Sequence, residues 1–510
     1  MRNFQLLLCA CAAAMVLAKP MNPLVEQRKN YVPPEIAIFD WVRANGGIVD
    51  GIAIFSPKSK PRGLYTTKQF KNDTLMLSIP NEVMIHKDFV LSEKKNPAFA
   101  AFFQGHVEYA PFPGDDCALN ALYIMFEMFY NRRETRIGPY LDLLPLFDTN
   151  FQYFQYLPSF WPSEIKALFD TLPSSRFEFA KREEQIVNIE RYVRSVLYPY
   201  FSKEYIVESA DVLYSQFRWA MSIVQSRAWG GLGAKDASRE DVHVDTPLSG
   251  TCTVVPLADM LNHHTDAMAL GGVQDTVDGE SYLVGHGIKA IKDYDAGEEI
   301  FDNYSPLEDT ELCTINILIT FGFLEPLQGY DCYKFLVNAS LENADFRKEK
   351  RELFRLFGIS PDLNVHLRGS NIETMREYFP EDYMIFMRIM AIQSRDEYES
   401  GLRVVRGIQS GTYTKDIAWS LENEHRALQS LKRHAETLAK TAFATTIEED
   451  ADLIRLIDEK MSDPSITSAR AKELLRQQKI IVEMRRREHL LLYTFIDFIK
   501  ERWMRLLDAN

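Results

Sequence analysis

Between residues 46 and 90 the chain carries short apolar or alternating runs, "GGIVDGIAIF", "PRGLYTT" and "DTLMLSIP", each closed by turn residues. Runs of that length and alternation predict several short strands. From about residue 100 to 228 the period lengthens. "ALNALYIMFEMFYNRR" and "ADVLYSQFRWAMSIVQSRAW" repeat apolar residues every three to four positions, which predicts helices. In the second, Leu213, Phe217, Ala220 and Val224 share one face and Arg227 lies one turn further, with Gly230 and Gly231 expected to end the helix. Strand-like text returns over 251–304 in "TCTVVPLA", "SYLVGHGIKAI" and "DYDAGEEIFDNY", followed by an expected short helix over Glu308–Thr320.

After Tyr330 the pattern is almost wholly helical. Thr446-x-x-Glu449 reads as a capping box. In the last long segment, Leu474, Ile481, Met484, Leu491, Phe495 and Phe498 recur at near-heptad spacing. A stripe of that kind is expected to pack a helical core rather than form an independent coiled coil. The plan is β, helical insert, β, then helical: an α+β chain whose small β-fold is interrupted by a long helical insertion and followed by an all-α domain. The expected boundaries are a leader over 1–18, a first domain over 19–330 with its insertion at about 100–228, and a helical domain over 331–510.

Composition narrows the function classes. Apolar residues make up 46% and charged residues 25% of the chain, a globular balance. The net charge of −14 lacks the cationic footprint of a nucleic-acid binder, so no nucleic acid is expected as a partner. "MRNFQLLLCACAAAMVLA" has an early arginine, a short apolar run and small residues Val16 and Ala18, which predicts a cleaved signal peptide and secretion or residence in the secretory lumen. Its apolar run is shorter than the roughly 20 residues of a membrane span, so no span is expected. Of six cysteines, Cys9 and Cys11 lie in that leader. Cys117, Cys252, Cys313 and Cys332 show no C-x-x-C spacing, leaving open one or two disulfides or buried free thiols. Sequons at Asn72, Asn303 and Asn338 are candidate glycan acceptors, although Asn303 would be poorly placed if its neighbour Tyr304 lines a site. "WGGLGAKD" at 229–236 follows a helix rather than a strand, which excludes a dinucleotide loop.

The densest chemistry lies in "LADMLNHHTDA", 257–267, with Asp259, Asn262, His263, His264 and Asp266. Adjacent histidines point in different directions and no second ligand cluster follows, so no metal is expected. Taken in order, "RWAMSIVQSRAW", "VVPLADMLNHH", "GEEIFDNYS" and "ELCTINILITFGFLEP" resemble the motifs of SET-domain protein methyltransferases. The resemblance is closest to the Rubisco large-subunit lysine methyltransferase-like branch, to which "PRGLYTTKQFKNDTLMLSIPNEVMI" and "ATTIEEDADLI" are also similar, and it spans roughly 35–505.

That resemblance implies a SET-domain β-fold with a helical insertion, a C-terminal substrate-binding domain, S-adenosyl-L-methionine as cofactor and a protein lysine as substrate. It implies that Asn262 and His263 hold the cofactor, with Asp259 three residues earlier. It places Arg227 on the cofactor's carboxylate, Arg62 and Gly63 in the cofactor turn, and Tyr304 at the methyl-transfer channel as the catalytic residue. Phe321 in "TFGF" stands where the family keeps a second tyrosine. The lysine preference follows from Ala258, which stands before Asp259 where histidine-methylating relatives carry tryptophan. The chemistry agrees: an arginine fork suits a carboxylate, and methyl transfer depends on positioning more than on acid–base power. The chain departs from the family at Lys60-Pro61-Arg62-Gly63, which replaces Glu-Gly-x-Gly, and at His264, which replaces a small residue. Together with the leader, these departures define the alternative: a secreted SET-fold binding or extracellular-matrix protein without catalysis.

Overall fold

The computed structural model describes residues 32–57, 61–104, 116–229, 252–264, 267, 271–277, 280–304, 313–324, 331–342 and 344–508. The expected leader, Lys60, Gly230, Gly231 and Asp266 lie outside the described residues. The chain divides into two compact units, one of residues 1–145 and 227–304, the other of 146–226 and 305–510. Part of the helical insertion therefore groups with the C-terminal helices.

The first unit holds the expected short strands. β1 (Ile52–Phe55), β2 (Gly63–Thr66), β9 (Glu299–Asp302) and β6 (Asn262–His263) form one sheet in the order β1-β2-β9-β6. β2 is antiparallel to β9, with Leu64 opposite Ile300. β6 runs parallel to β9, pairing Asn262 with Phe301 and His263 with Asp302. A second sheet orders β3 (Leu75–Pro80), β8 (Glu280–Lys289) and β7 (Gly271–Val277) as β3-β8-β7. A two-residue pair joins β4 (Ala228–Trp229) to β5 (Thr253–Val254). Cys117 and Cys252 form a disulfide, and Asn120 Nδ2 donates to the Cys252 carbonyl at 3.0 Å. That link ties the helix Asp116–Phe129 to the segment that leads into β5 and β6.

The helix expected to end at Gly230 and Gly231 runs from Ala210 to Arg227 instead. Its backbone turns extended at Ala228 because Ala228 and Trp229 take sheet partners Val254 and Thr253. Leu213, Phe217, Ala220 and Val224 are all fully buried, as their spacing predicts.

The second unit is mainly helical. Thr446 and Glu449 form the reciprocal cap, with Glu449 Oε2 accepting from the Thr446 N–H at 2.8 Å and Thr446 Oγ1 accepting from the Glu449 N–H at 3.1 Å. The helix Ala469–Asp508 carries the stripe. Leu491, Phe495 and Phe498 join a core with Tyr383, Leu428 and Leu431, while Ile481 and Met484 pack with Trp161, Phe169 and Leu318. Each such fully buried side chain stabilises the fold by roughly 1.5–3 kcal/mol. One feature departs from the wholly helical pattern: β10 (Cys332–Asn338) pairs antiparallel with β11 (Asp362–Arg368). The strand signal is present in the sequence, since β10 reads CYKFLVN and β11 alternates polar residues with Leu363, Val365 and Leu367. The expected helix over Glu308–Thr320 is found over Thr314–Phe321 and stops at Gly322, whose φ of +80° suits glycine. A second disulfide, Cys313–Cys332, closes the interval that contains this helix.

Candidate functional site

The expected site residues of the first unit converge on the edge formed by β2, β9 and β6. Leu257 starts the construction: its φ of 74° and ψ of −45° are rare for a residue with a side chain, and it is fully buried. The turn it imposes leads into a 3₁₀ turn over Ala258–Met260, which buries Asp259.

Asp259 is shared between two donors. Arg227 Nη1 donates to its Oδ2 at 2.9 Å and to its carbonyl at 3.2 Å. The Tyr140 hydroxyl donates to the same Oδ2 at 2.9 Å. Burial, and then the Asp259 charge, raise the Tyr140 pKa well above its ordinary value, so this phenol stays a donor. Asp259 Oδ1 is buried and accepts no hydrogen bond from the described residues. A second guanidinium belongs to the cluster: burial and then the nearby Arg227 charge lower the Arg62 pKa, and Arg62 Nη2 donates to the Leu143 carbonyl at 3.1 Å. Two guanidiniums thus stand beside one carboxylate, of which one oxygen accepts no hydrogen bond from the described residues.

Arg62 also joins the neighbouring group through its backbone. Asn262 Nδ2 donates to the Arg62 carbonyl at 3.2 Å and to Glu299 Oε1 at 2.7 Å. The Tyr65 hydroxyl donates to the other Glu299 oxygen at 2.9 Å, and burial and then that bond push its pKa up to about 12. Gly63 suits this packing, since a Cβ there would lie 2.7 Å from both Asn262 Nδ2 and Glu299 Oε1 and would push those side-chain ends aside. Its role here is close approach of backbone to side chain.

His263 and Tyr304 interlock. His263 Nδ1 accepts from the Tyr304 N–H at 3.0 Å, which places the proton of a neutral ring on Nε2. The Tyr304 hydroxyl donates to the Leu261 carbonyl at 2.6 Å, and the two rings lie 5.2 Å apart. His264 is exposed, with its ring 5.3 Å from Phe301, so its bulk is accommodated outside this interlock. Asp302 is fully buried and accepts from Trp229 Nε1 at 3.0 Å, which anchors the end of β9 to β4.

Arg62, Gly63, Arg227, Asp259, Asn262, His263 and Tyr304 are thus brought together in the first unit. Phe321 belongs to the second unit, half-buried at the end of its helix with its ring 6.3 Å from Phe323. Three contributors were not singled out from sequence. Glu299 and Asp302 lie within the quoted "GEEIFDNY", where the period of two sets Asp302 on the buried face with Ile300 and Glu299 on the opposite one. Tyr140 lies in "IGPYLDLL", which carries no recognisable signal.

Comparisons with known proteins bear on the fold. Residues 342–492 match the family profile "Rubisco LSMT substrate-binding". The actin-histidine N-methyltransferase of Otolemur garnettii is 23% identical over 465 residues, covering 90% of this chain and 68% of that protein. The Homo sapiens protein of the same name is 22% identical with the same coverage. The solved SET domain of LSMT bound to lysine and AdoHcy superposes with a TM-score of 0.59 at 17% identity, covering 93% of this chain and 92% of that one. The chain is thus similar to the Rubisco LSMT-like branch of the SET-domain proteins and shares its fold. A further member of that branch, Rubisco LSMT bound to AdoMet, gives a TM-score of 0.56 at 18% identity, covering 93% of each chain. The α+β architecture of the SET-like chain, with its interrupted β-fold and helical C-terminal region, follows from the same superpositions. Among the described residues, no helix is long and apolar enough to cross a membrane.

Proposed function

We propose that this chain is an S-adenosyl-L-methionine-dependent protein methyltransferase whose acceptor is a lysine side chain. Its relatives are protein methyltransferases, and neighbours of the same fold carry AdoMet, AdoHcy and lysine. The observation that carries the reading is the Arg62–Arg227–Asp259 cluster. Two guanidiniums beside a carboxylate with a donor-free oxygen complement an α-amino acid, which presents a carboxylate and an ammonium together. The methionine end of the cofactor has that chemistry, so the residues present fit the group.

When bound, the cofactor supplies a methyl group on a sulfonium. Arg62 and Arg227 would hold its carboxylate, and Asp259, pinned by Tyr140, orients Arg227. Glu299 and Asn262 fix the backbone of Arg62 and Gly63, which keeps the pocket edge rigid. Tyr304 is the residue proposed to face the acceptor nitrogen, its ring set by Leu261 and His263. A rigid aromatic beside a dehydrated channel favours a neutral amine and attracts the positive charge that develops on it. Methyl transfer needs alignment more than proton chemistry, and the residues here are suited to alignment.

Lysine rather than histidine is proposed because Ala258, fully buried, fills the position that carries tryptophan in the histidine-methylating relatives. The protein substrate is proposed to dock on the region that matches the substrate-binding profile. Residence in the secretory pathway is supported by the two disulfides, which persist in oxidising compartments. The glycan acceptors proposed with it include Asn72 and Asn338, both exposed.

The second reading, a secreted binding protein without catalysis, is favoured by Pro61, which removes a backbone N–H from the cofactor turn. Calorimetric titration of the full chain with S-adenosyl-L-methionine and with S-adenosyl-homocysteine separates the two. Binding of either supports the enzyme, and absence of both overturns it. Incubation with a deuteromethyl-labelled cofactor and a protein extract, read by mass spectrometry, then locates the label. Label on lysine is expected, and label confined to histidine would refute the acceptor assignment.

A further inference from the structure

The second unit contains a side-chain cluster that the methyltransferase reading does not use. Cys332 opens β10 and lies opposite Arg368 on β11, while Lys334 lies opposite His366. Positions two apart on a strand share a face, so Cys332 and His366 are diagonal neighbours on the same side of this two-stranded ribbon. Cys313 arrives from another element, as the N-cap of the helix Thr314–Phe321. His366 Nε2 is 3.1 Å from Cys313 Sγ, and the two sulfurs are bonded. Among the described residues this is the one group whose His, Cys or carboxylate ligand atoms all lie within 4.8 Å of one another.

We propose that Cys313, Cys332 and His366 form a binding site for a thiophilic divalent cation of the zinc class, open only when the disulfide is reduced. This differs from the expectation that the chain has no metal centre. Reduction by a dithiol or a phosphine delivers two electrons to the disulfide, and two protons complete the two thiols. Cation entry then releases both protons, since thiolate is the ligand. Tetrahedral zinc sites with Zn–S of about 2.3 Å and Zn–N of about 2.0 Å place their ligand atoms roughly 3.5–3.8 Å apart. The Cys313–His366 separation is already near that spacing, so the main change is parting of the sulfurs.

Three features favour the ligating form. Cys313 sits at a helix N-terminus, where the dipole favours a thiolate, and its sulfur accepts from the Asn316 backbone N–H. A small cavity of about 10 Å³ borders both sulfurs together with Thr314, Asp331 and Glu488. His366 is half-buried rather than sealed, which provides an entry side. The Cys117–Cys252 disulfide belongs to no such ligand group.

The test uses the full chain, reduced with a phosphine under anaerobic conditions and titrated with Co²⁺. One equivalent should bind with sulfur-to-cobalt charge-transfer absorption and tetrahedral ligand-field bands, which Zn²⁺ then bleaches. The oxidised chain should show neither. Cys313→Ser should remove the signal and His366→Ala should weaken binding at least tenfold, whereas a Cys117→Ser/Cys252→Ser chain should retain it. Absence of the bands in the reduced wild type, or their persistence in Cys313→Ser, overturns the proposal. Far-UV circular dichroism on the same samples covers unfolding: a reduced chain that loses structure and does not regain it with Co²⁺ also overturns it.

Discussion

Buried arginine–carboxylate pairs occur in both units, and they are built differently. In the second unit, Arg388 is fully buried and grips Glu424 with Nε at 2.6 Å and Nη2 at 2.9 Å. Its remaining donors reach the Lys415 and Asp416 carbonyls at 2.9 and 3.0 Å. Arg485 treats Asp450 in the same way and adds Thr171 Oγ1 at 3.1 Å. In the first unit, Arg227 reaches the Asp259 carboxylate through Nη1 alone, a second guanidinium stands nearby, and Asp259 Oδ1 lacks a donor. Saturated pairs hold helices. The Asp259 group keeps one carboxylate oxygen without a donor among the described residues, and an acceptor left open in this way is how a binding site differs physically from a structural ion pair.

The comparison can be broken most strongly at Arg388. Glu424→Ala leaves that guanidinium buried without a counter-charge and should destabilise the fold by about 3–5 kcal/mol in urea unfolding. A loss below about 1 kcal/mol would show that the pair is not structural.

A pH series sharpens the same contrast. Glu488 is pushed up to about 7 by burial, although Ser174 and Ser175 backbone N–H groups donate to it at 3.1 and 2.7 Å. Its folded pKa exceeds the unfolded one, so the folded state binds the extra proton. That contribution is present below about pH 4.5 and disappears as pH rises through about 7, by up to roughly 3 kcal/mol. The stability of wild type relative to Glu488→Gln should therefore fall over that window, and a flat difference would contradict the shift.

Arg227→Lys keeps the charge but removes the fork. Cofactor affinity should drop about tenfold or more, roughly 1.4 kcal/mol, with the unfolding midpoint little changed. The reverse outcome, lost stability with intact affinity, would place Arg227 among the structural pairs. Arg62→Gln should have the smallest effect, a few-fold weaker binding of about 0.5–1 kcal/mol, because Asn262 holds the backbone rather than the side chain at this position. An unchanged affinity in calorimetry would leave Arg227 as the sole carboxylate partner.

Much of the plan was legible along the chain, for identifiable reasons. Leu213, Phe217, Ala220 and Val224 are sealed because a helix repeats its buried face every three to four residues. The Thr446–Glu449 cap could be read because both partners lie within one turn. The ribbon of β10 and β11 was passed over although β11 alternates cleanly through Leu363, Val365 and Leu367, because each strand is a single short run set between long helical segments. Glu299 was visible in a quoted motif yet had no assigned role, since its partners Tyr65 and Asn262 are remote in sequence.

Local periodicity and motif order by themselves determined the strand–helix–strand–helix plan and the candidate loop 257–267, and the family resemblance singled out Arg62 and Arg227 as candidate cofactor residues. Tertiary structure alone decided that Arg227 answers to Asp259, that Tyr140 completes that pair, and that His264 turns outward while His263 locks onto Tyr304. It also paired Cys117 with Cys252 and Cys313 with Cys332 and set His366 beside the second link. The physical reason is range. Periodicity records which face of an element is buried, whereas a hydrogen bond or a ligand cluster depends on distances between segments that only the folded chain brings within a few ångströms.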